Sequence, residues 1–252
     1  MKEKIELNAE AISLRRYFGE DAYSPIDIFS LLHNDGDLTI VFYPMGKRIS
    51  GVCIRDGSNK IVGINSTSTY GRQRFTIAHE LYHLFFHEDF KGVVCGVDLK
   101  SSKDPQEKEA NMFASYFLAP YESLVTYIKD KVGKERHQLE IKDVVKIEQH
   151  YGFSRQAILL RLVTDGYLLP SKAKTMEAGI KASAIKLGYD DRLYTPTPEE
   201  KQYITLGKYI SSTEKLRKKE LISTGKYEEL LLDGFRTDIV YGFVNHGEAC
   251  YD

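Results

Sequence analysis

The chain has 252 residues, of which 42% are hydrophobic and 28% are charged, with a formal net charge of −1. This composition predicts one mid-sized globular domain, or a domain with an appendage, with ample core. The near-neutral charge gives no electrostatic case for a large nucleic-acid or membrane surface. The N-terminus lacks the apolar run of a signal peptide, and no stretch predicts a membrane span, so the sequence predicts a cytoplasmic protein.

The N-terminal part predicts two helices followed by a small antiparallel sheet. Residues 4–18 carry apolar side chains at helical spacing, and Ser24-Pro25 is typical of a second helix start. Three strand candidates follow at 38–43, 49–54 and 60–65, with an Asp-Gly hairpin signal before the last. An edge strand of such a sheet offers a place where an extended peptide can add as a further strand.

A segment without Gly or Pro, residues 72–88, contains the pattern His79-Glu80-Leu81-Tyr82-His83. On a helix the two histidines lie one turn apart on one face, where both imidazoles can reach one metal ion. Glu80 then projects beside the metal, where it can take a proton from bound water. Apolar residues occur on every side of the segment, which predicts a buried helix. The motif alone leaves a second interpretation open, a core helix with two hydrogen-bonded histidines.

The third ligand of a catalytic zinc site has to come from elsewhere in the chain. His87 is eight residues beyond His79, about 12 Å along a helix axis and too far to share one ion, so it is predicted beside the site or on the surface. The three cysteines are Cys53, Cys95 and Cys250. They are few and widely spaced, which predicts reduced thiols and no cysteine among the metal ligands.

The segment after the motif supplies a better candidate. Residues 88–104 are polar and glycine-rich and predict a loop, and Asp104-Pro105 then begins a helix. On that helix Glu107 shares a face with small residues that permit close approach to a neighbouring helix. Glu107 is the predicted third ligand, and Asn111, one turn later, is predicted to hydrogen-bond a ligating histidine. Glu109 is the reserve candidate, and a capping box with Asp104 is the alternative role for Glu107.

Downstream of Pro120 the sequence predicts further helices. Residues 121–133 predict one helix, and residues 139–169 predict a helical pair of helix-turn-helix proportions. Its second helix is too apolar for DNA recognition, since only Arg155, Gln156 and Arg161 remain to meet a groove. We therefore expect the pair to pack on the metal-binding helices. Residues 171–252 predict a polar, mostly helical extension, including a helix over 199–208.

These motifs resemble the ImmA/IrrE family of bacterial and phage metallopeptidases. The resemblance rests on residues 72–83, on Ile64-Asn65 before them and on 107–120; it covers 5–168 and is strong over 60–120. It implies an α+β fold with three parts, in which residues 1–120 form a small antiparallel sheet on a zincin-like helical core. Residues 121–170 form the helical subdomain, and residues 171–252 form the C-terminal extension.

The resemblance also implies a site and a substrate. His79, His83 and Glu107 would bind zinc, and Glu80 would be the catalytic base. The substrate would be a helix-turn-helix transcriptional repressor whose cleavage releases stress or mobile-element genes. One departure is Tyr82, which replaces the small residue usual between the histidines and is expected to narrow the pocket. A second departure is the segment 171–252, which matches no regulatory domain of the family.

Three hypotheses follow from the sequence. The first is a zinc-dependent endopeptidase acting on a partner protein. The second is a non-proteolytic protein-binding module on the same fold, anti-repressor or antitoxin-like, which metal analysis distinguishes from the first. The third is a DNA-binding regulator, against which the near-neutral charge argues.

Overall fold

The computed structural model describes residues 1–33, 36–87, 91–96 and 104–242. The strands are Leu38–Tyr43 (β1), Ile49–Asp56 (β2), Asn59–Asn65 (β3), Gly92–Gly96 (β4) and Ile204–Gly207 (β5). The helices are Lys4–Tyr17 (α1), Tyr70–Phe86 (α2), Pro105–Leu118 (α3), Tyr121–Tyr127 (α4), Ile141–Tyr151 (α5), Arg155–Thr164 (α6), Pro170–Thr175 (α7), Ile180–Lys186 (α8), Lys208–Lys218 (α9), Thr224–Asp233 (α10) and Thr237–Val240 (α11). Short single turns occur at Ser30–His33, Ile128–Val132, Arg192–Tyr194 and Glu199–Lys201.

The predicted α+β class is confirmed. The five strands form one sheet in the order β4-β2-β3-β1-β5. Helix α2 lies on β2 and β3, α3 packs on α2, and both α1 and α6 pack on α3. Apolar side chains from the sheet and these helices form one continuous core. A central helix covered by sheet on one side and by α3 on another is buried, as its apolar composition predicts.

The sheet is mostly antiparallel. Strand β2 pairs antiparallel with β3 and with β4, and the β2–β3 hairpin turns at Gly57, whose φ is +58°. Strand β1 pairs in parallel with β3, and β2 lies on the other side of β3. None of the helices in the described ranges combines the length and the apolar composition needed to cross a membrane.

Two predictions made from the sequence are wrong: the helix that starts at Ser24-Pro25, and the uninterrupted loop over 88–104. Ser24-Pro25 begins no helix, because two buried arginines take the carbonyl groups: Arg15 donates to Ser24, and Arg74 donates to Ile26 at 2.6 Å. The predicted loop over 88–104 contains β4, which pairs with β2. The rest of that segment, 88–90 and 97–103, lies outside the described residues.

The C-terminal segment contributes a strand to the sheet. The predicted helix over 199–208 is wrong, because β5 occupies residues 204–207 and pairs antiparallel with β1. Helix α9 starts only at Lys208, and the residue before it, Gly207, has a φ of +84°. Residues 243–252, including Cys250, lie outside the described ranges, and the domain boundaries at 120 and 170 stay a prediction.

Gly207→Ala is expected to lower the free energy of unfolding by about 1–3 kcal/mol. Its φ is unfavourable for any side chain, and an added Cβ would overlap the carbonyl oxygen of Leu38. Chemical denaturation measures the effect. The matched control is Gly225→Ala in α10, where a Cβ meets nothing within 4 Å and stability should hold or rise. Equal denaturation midpoints for the two variants would contradict the strain at the β5–α9 junction.

The helical pair buries the charges that DNA contact would need. Arg155 and Arg161 are each 1% exposed. Arg155 pairs with Glu148 at 2.7 Å, and Arg161 pairs with Asp165 at 2.5 Å. Neither guanidinium can reach a phosphate without the pair opening. The pair instead packs on α3 through α6, as the sequence predicts.

Candidate metal centre

Helix α2 is fixed at its N-terminal end before it reaches the motif. The Gln73 side-chain amide donates to the carbonyl groups of Ser66 at 3.1 Å and Ser68 at 2.7 Å. Arg74, 7% exposed, donates to the carbonyl groups of Ile26 and Gly152, the second of which lies between α5 and α6. These contacts hold the helix against three separate parts of the chain. The position of the next turns, which carry the histidines, is thereby set.

The structure brings the three predicted metal ligands together. The Nε2 atoms of His79 and His83 are 3.1 Å apart, and the Glu107 carboxylate lies 3.4 Å from the first and 3.3 Å from the second. Two ligand atoms that are each about 2.0 Å from a tetrahedral zinc ion lie about 3.3 Å apart. The two nitrogens and the carboxylate, which faces each histidine with a different oxygen, therefore have the spacing that a single zinc-sized ion requires.

Glu107 faces the histidines rather than its own helix end. Asp104 caps α3 by accepting from the backbone amide of Gln106 at 2.9 Å, so the carboxylate of Glu107 is not needed there. Hydrogen bonds from His79 and His83 hold the pKa of Glu107 well below its usual range. An anionic carboxylate beside two imidazoles is a typical zinc donor set.

The outer nitrogens of both histidines have hydrogen-bond partners. His79 Nδ1 lies 3.0 Å from Asn111 Oδ1, which confirms the predicted contact, and His83 Nδ1 lies 3.1 Å from His87 Nδ1. Burial, with a further contribution from His83, lowers the pKa of His87. A neutral His87 can therefore accept a hydrogen bond from His83 Nδ1. With protons on Nδ1, the two histidines present their Nε2 lone pairs to a cation; with protons on Nε2, they donate to Glu107.

Asn111→Ala is expected to weaken metal binding by about 10- to 100-fold. The variant removes the acceptor that orients the His79 ring and keeps its proton on Nδ1. Competition with a chromogenic chelator measures the affinity for Zn²⁺. Asn59→Ala, at an exposed position in the β2–β3 hairpin, is the control and should bind as the parent protein does. An unchanged affinity in the Asn111 variant would contradict the orienting role.

Glu80 is buried beside these ligands. It is fully inaccessible, and its Oε1 atom has no hydrogen-bond partner among the described residues. Room for this oxygen exists because residue 51 is glycine, where an added Cβ would lie only 2.8 Å from Oε1. A buried carboxylate oxygen without a partner is costly, so the site is built for a group that is absent from the polypeptide. The donor set of two imidazoles and a carboxylate, with the buried Glu80 beside it, fits a zinc ion.

Cys95 is a member of the cluster that the sequence spacing did not predict. Its Sγ lies 3.4 Å from Glu80 Oε2 and 3.9 Å from Glu107 Oε1. One ligand atom each from His79, His83, Cys95 and Glu107 lie within 4.8 Å of one another. Rules based on the sequence spacing of metal ligands miss this cysteine, because no second ligand lies near it in the sequence and the pairing of β4 with β2 places it at the cluster. Burial, with a smaller contribution from Glu80, raises the pKa of the Cys95 thiol.

Tyr82 and Glu109 belong to the packing of α2 on α3. The Tyr82 ring is fully buried against Phe86 and Phe113, and its hydroxyl donates to Glu109 Oε2 at 2.8 Å. Burial, with the Glu109 hydrogen bond, raises the pKa of Tyr82. Tyr82 therefore supports the helix interface rather than narrowing the opening of a pocket. Glu109, the reserve candidate for the third ligand, is directed away from the histidines.

Sequence comparison agrees with this geometry. The sequence model of the peptidase family described as the IrrE N-terminal-like domain matches residues 35–163, just over half of the chain. The chain belongs to this family. The matched region runs from the start of the sheet to the end of α6 and includes both histidines, Glu80 and Glu107. The resemblance seen in the sequence is thereby confirmed.

One relative of this chain is the radiation response metalloprotease IrrE of Deinococcus deserti. The two sequences are 40% identical over 57 residues, which are 23% of this chain and 19% of the relative. The match thus spans about a fifth of the relative's length. The family match covers the core of this chain, and the match to the relative is too short to identify an activity or a substrate.

Proposed function

We propose that this protein is a zinc-dependent endopeptidase. The observation that carries the proposal is the convergence of His79, His83 and Glu107 beside a buried Glu80 whose Oε1 has no partner within the described chain. A core helix with merely satisfied histidines would not leave a buried carboxylate oxygen unpaired. The same arrangement supplies a metal-binding donor set and a proton acceptor side by side.

The chain's own residues have distinct parts in such a reaction. His79, His83 and Glu107 would hold the zinc ion, which polarises the scissile carbonyl and lowers the pKa of a water molecule. The Glu80 carboxylate accepts the proton of the attacking water and passes it to the leaving amine. Gly51 leaves space at Glu80 Oε1, and Asn111 keeps the His79 ring oriented.

Strand β4 offers a binding place for an extended peptide. It is an edge strand that pairs only with β2 among the described strands, and its residue Cys95 belongs to the metal cluster. Val94, on its outward face, is 63% exposed. A peptide that adds to the free edge would run past the metal ligands, with main-chain hydrogen bonds fixing its direction.

The substrate we propose is a helix-turn-helix transcriptional repressor, whose removal would release stress-response or mobile-element genes. Support for this class comes from the family resemblance. Such a substrate would place the reaction in the cytoplasm. Direct binding of this chain to DNA is not part of the proposal, since the two arginines of α6 that were candidates for a groove are buried.

The test is incubation of the purified protein with the helix-turn-helix protein encoded beside its own gene, with and without a metal chelator. We expect chelator-sensitive fragments, with one cleavage site identified by mass spectrometry. His83→Ala, which removes a ligand, should give no fragments. Complex formation without cleavage in the zinc-loaded protein would favour the non-proteolytic binding module, and cleavage by the His83 variant would contradict the proposal.

A further inference from the structure

The fourth group of the metal cluster, Cys95, has no part in the peptidase chemistry described above. The two histidine nitrogens and the Glu107 carboxylate are separated by 3.1–3.4 Å, and the Cys95 sulfur lies 3.9 Å from Glu107 Oε1. With zinc–sulfur and zinc–oxygen bonds of about 2.3 and 2.0 Å, a tetrahedral site places these two atoms about 3.5 Å apart. The four ligand atoms lie within 4.8 Å of one another, so the sulfur has to approach the histidines by about an ångström to complete a four-ligand set.

The sulfur also occupies the side of the cluster on which water is needed. Cys95 Sγ is 3.4 Å from Glu80 Oε2 and thus stands between the proposed base and the Glu107 ligand. Independently, the other oxygen of Glu80 is buried and without a partner within the described chain. That oxygen lies beside Gly51, whereas the thiol projects into the space between Glu80 Oε2 and the Glu107 ligand.

A local irregularity of the sheet directs Cys95 inward. The β2–β4 register shifts between Ile49 and Gly51, directly opposite Cys95 and Gly96. Ser50, at the shift, donates to the carbonyl groups of Cys95 at 3.1 Å and Gly96 at 2.9 Å. Such bulges re-aim side chains at the edges of sheets and beside active sites. Here the bulge fixes the backbone of the residue whose side chain reaches the cluster.

We propose that Cys95 is a fourth protein ligand that closes the metal site in its resting state. This inference rests on the proposed function, because the other three ligands are those of the peptidase. Four protein ligands leave no position for water, so the closed site is inactive. On closing, the thiol proton passes to Glu80 Oε2, the sulfur binds the metal and a water ligand leaves. Displacement of β4, for example by a peptide that adds to its edge, reverses each of these changes.

Cobalt substitution of the full-length protein tests the ligation without reference to activity. A thiolate bound to Co²⁺ gives a charge-transfer absorption in the near ultraviolet, beside the visible bands that report metal binding itself. We expect the band in the parent protein and its loss in Cys95→Ser. The control is the double variant Cys53→Ser with Cys250→Ser, which leaves Cys95 as the remaining cysteine and should retain the band.

Cleavage measurements supply the second readout. Cys95→Ala should cleave the partner protein at least several-fold faster than the parent protein, because the closed state is removed. If either variant fails to fold, cadmium NMR of the parent protein reports sulfur ligation from the metal's chemical shift. Cobalt bound without a sulfur band would overturn the inference and leave the peptidase proposal intact. A parent protein that binds no cobalt would contradict the peptidase proposal as well.

Discussion

Glu80→Gln is expected to lower the turnover rate for peptide cleavage by about 10²- to 10⁴-fold while the metal stays bound. The amide has nearly the shape of the carboxylate but cannot accept a proton from water. Glu80 is not among the atoms that converge on the metal position, so the ligand set is unchanged. Cleavage kinetics on the partner protein and elemental analysis of the same samples measure the two quantities.

Two controls separate base chemistry from loss of metal. Glu107→Gln, at a proposed ligand, should lower both metal content and cleavage, whereas Glu122→Gln, at an exposed position in α4, should change neither. These results would assign proton transfer to the Glu80 carboxylate on α2 and metal binding to the Glu107 carboxylate on α3. A Glu80→Gln protein that cleaves at the parent rate would contradict the proposed mechanism, even with the metal site intact.

Glu148→Ala is expected to destabilise the protein by about 3–5 kcal/mol, the usual cost of leaving a buried charge without its partner. Arg155 binds Glu148 through two hydrogen bonds of 2.7 Å each, and both side chains are at most 1% exposed. The Tyr194 hydroxyl donates to the same carboxylate at 2.6 Å. This cluster joins both helices of the pair to the segment that follows α8.

Urea denaturation followed by circular dichroism measures this loss. Glu229→Ala is the matched control, because it removes an exposed ion pair with Lys226 that solvent screens, so little change in stability is expected. Similar small effects in both variants would contradict the view that the helical pair is held by buried charge. The same result would reopen the question whether Arg155 is available to a ligand.

The parts of the site that the sequence predicts are those set by local geometry. His79 and His83 share a face because helical spacing requires it, and the absence of Gly and Pro over 72–86 allows the helix. Glu107 faces them because the small residues on its side of α3 let the two helices approach closely. Its contact with both histidines depends on the packing of α3 on α2 and not on the strand pairing of the sheet.

The parts that the sequence does not predict depend on pairing between distant segments. Cys95 reaches the cluster through the β4–β2 pairing and its bulge, and no spacing rule detects a lone cysteine on an edge strand. Strand β5 forms because it meets β1, far away in the sequence. The expected helix at Ser24-Pro25 is absent because Arg15 and Arg74 bind the carbonyl groups there.

Tyr82 illustrates the same limit within the motif itself. Its position between the histidines suggested a role at the pocket, but its direction depends on the angle between α2 and α3. In the structure the ring packs on Phe113 and the hydroxyl binds Glu109. A side chain one residue from a ligand can thus belong entirely to the core.

Anomalous diffraction at the zinc absorption edge, from crystals of the protein grown with zinc, locates the metal directly. The proposed site predicts one strong peak about 2.0–2.2 Å from the Nε2 atoms of His79 and His83 and from the Glu107 carboxylate. Zinc bound elsewhere on the protein, with these three side chains unliganded, would contradict the metal centre on which the proposed activity depends.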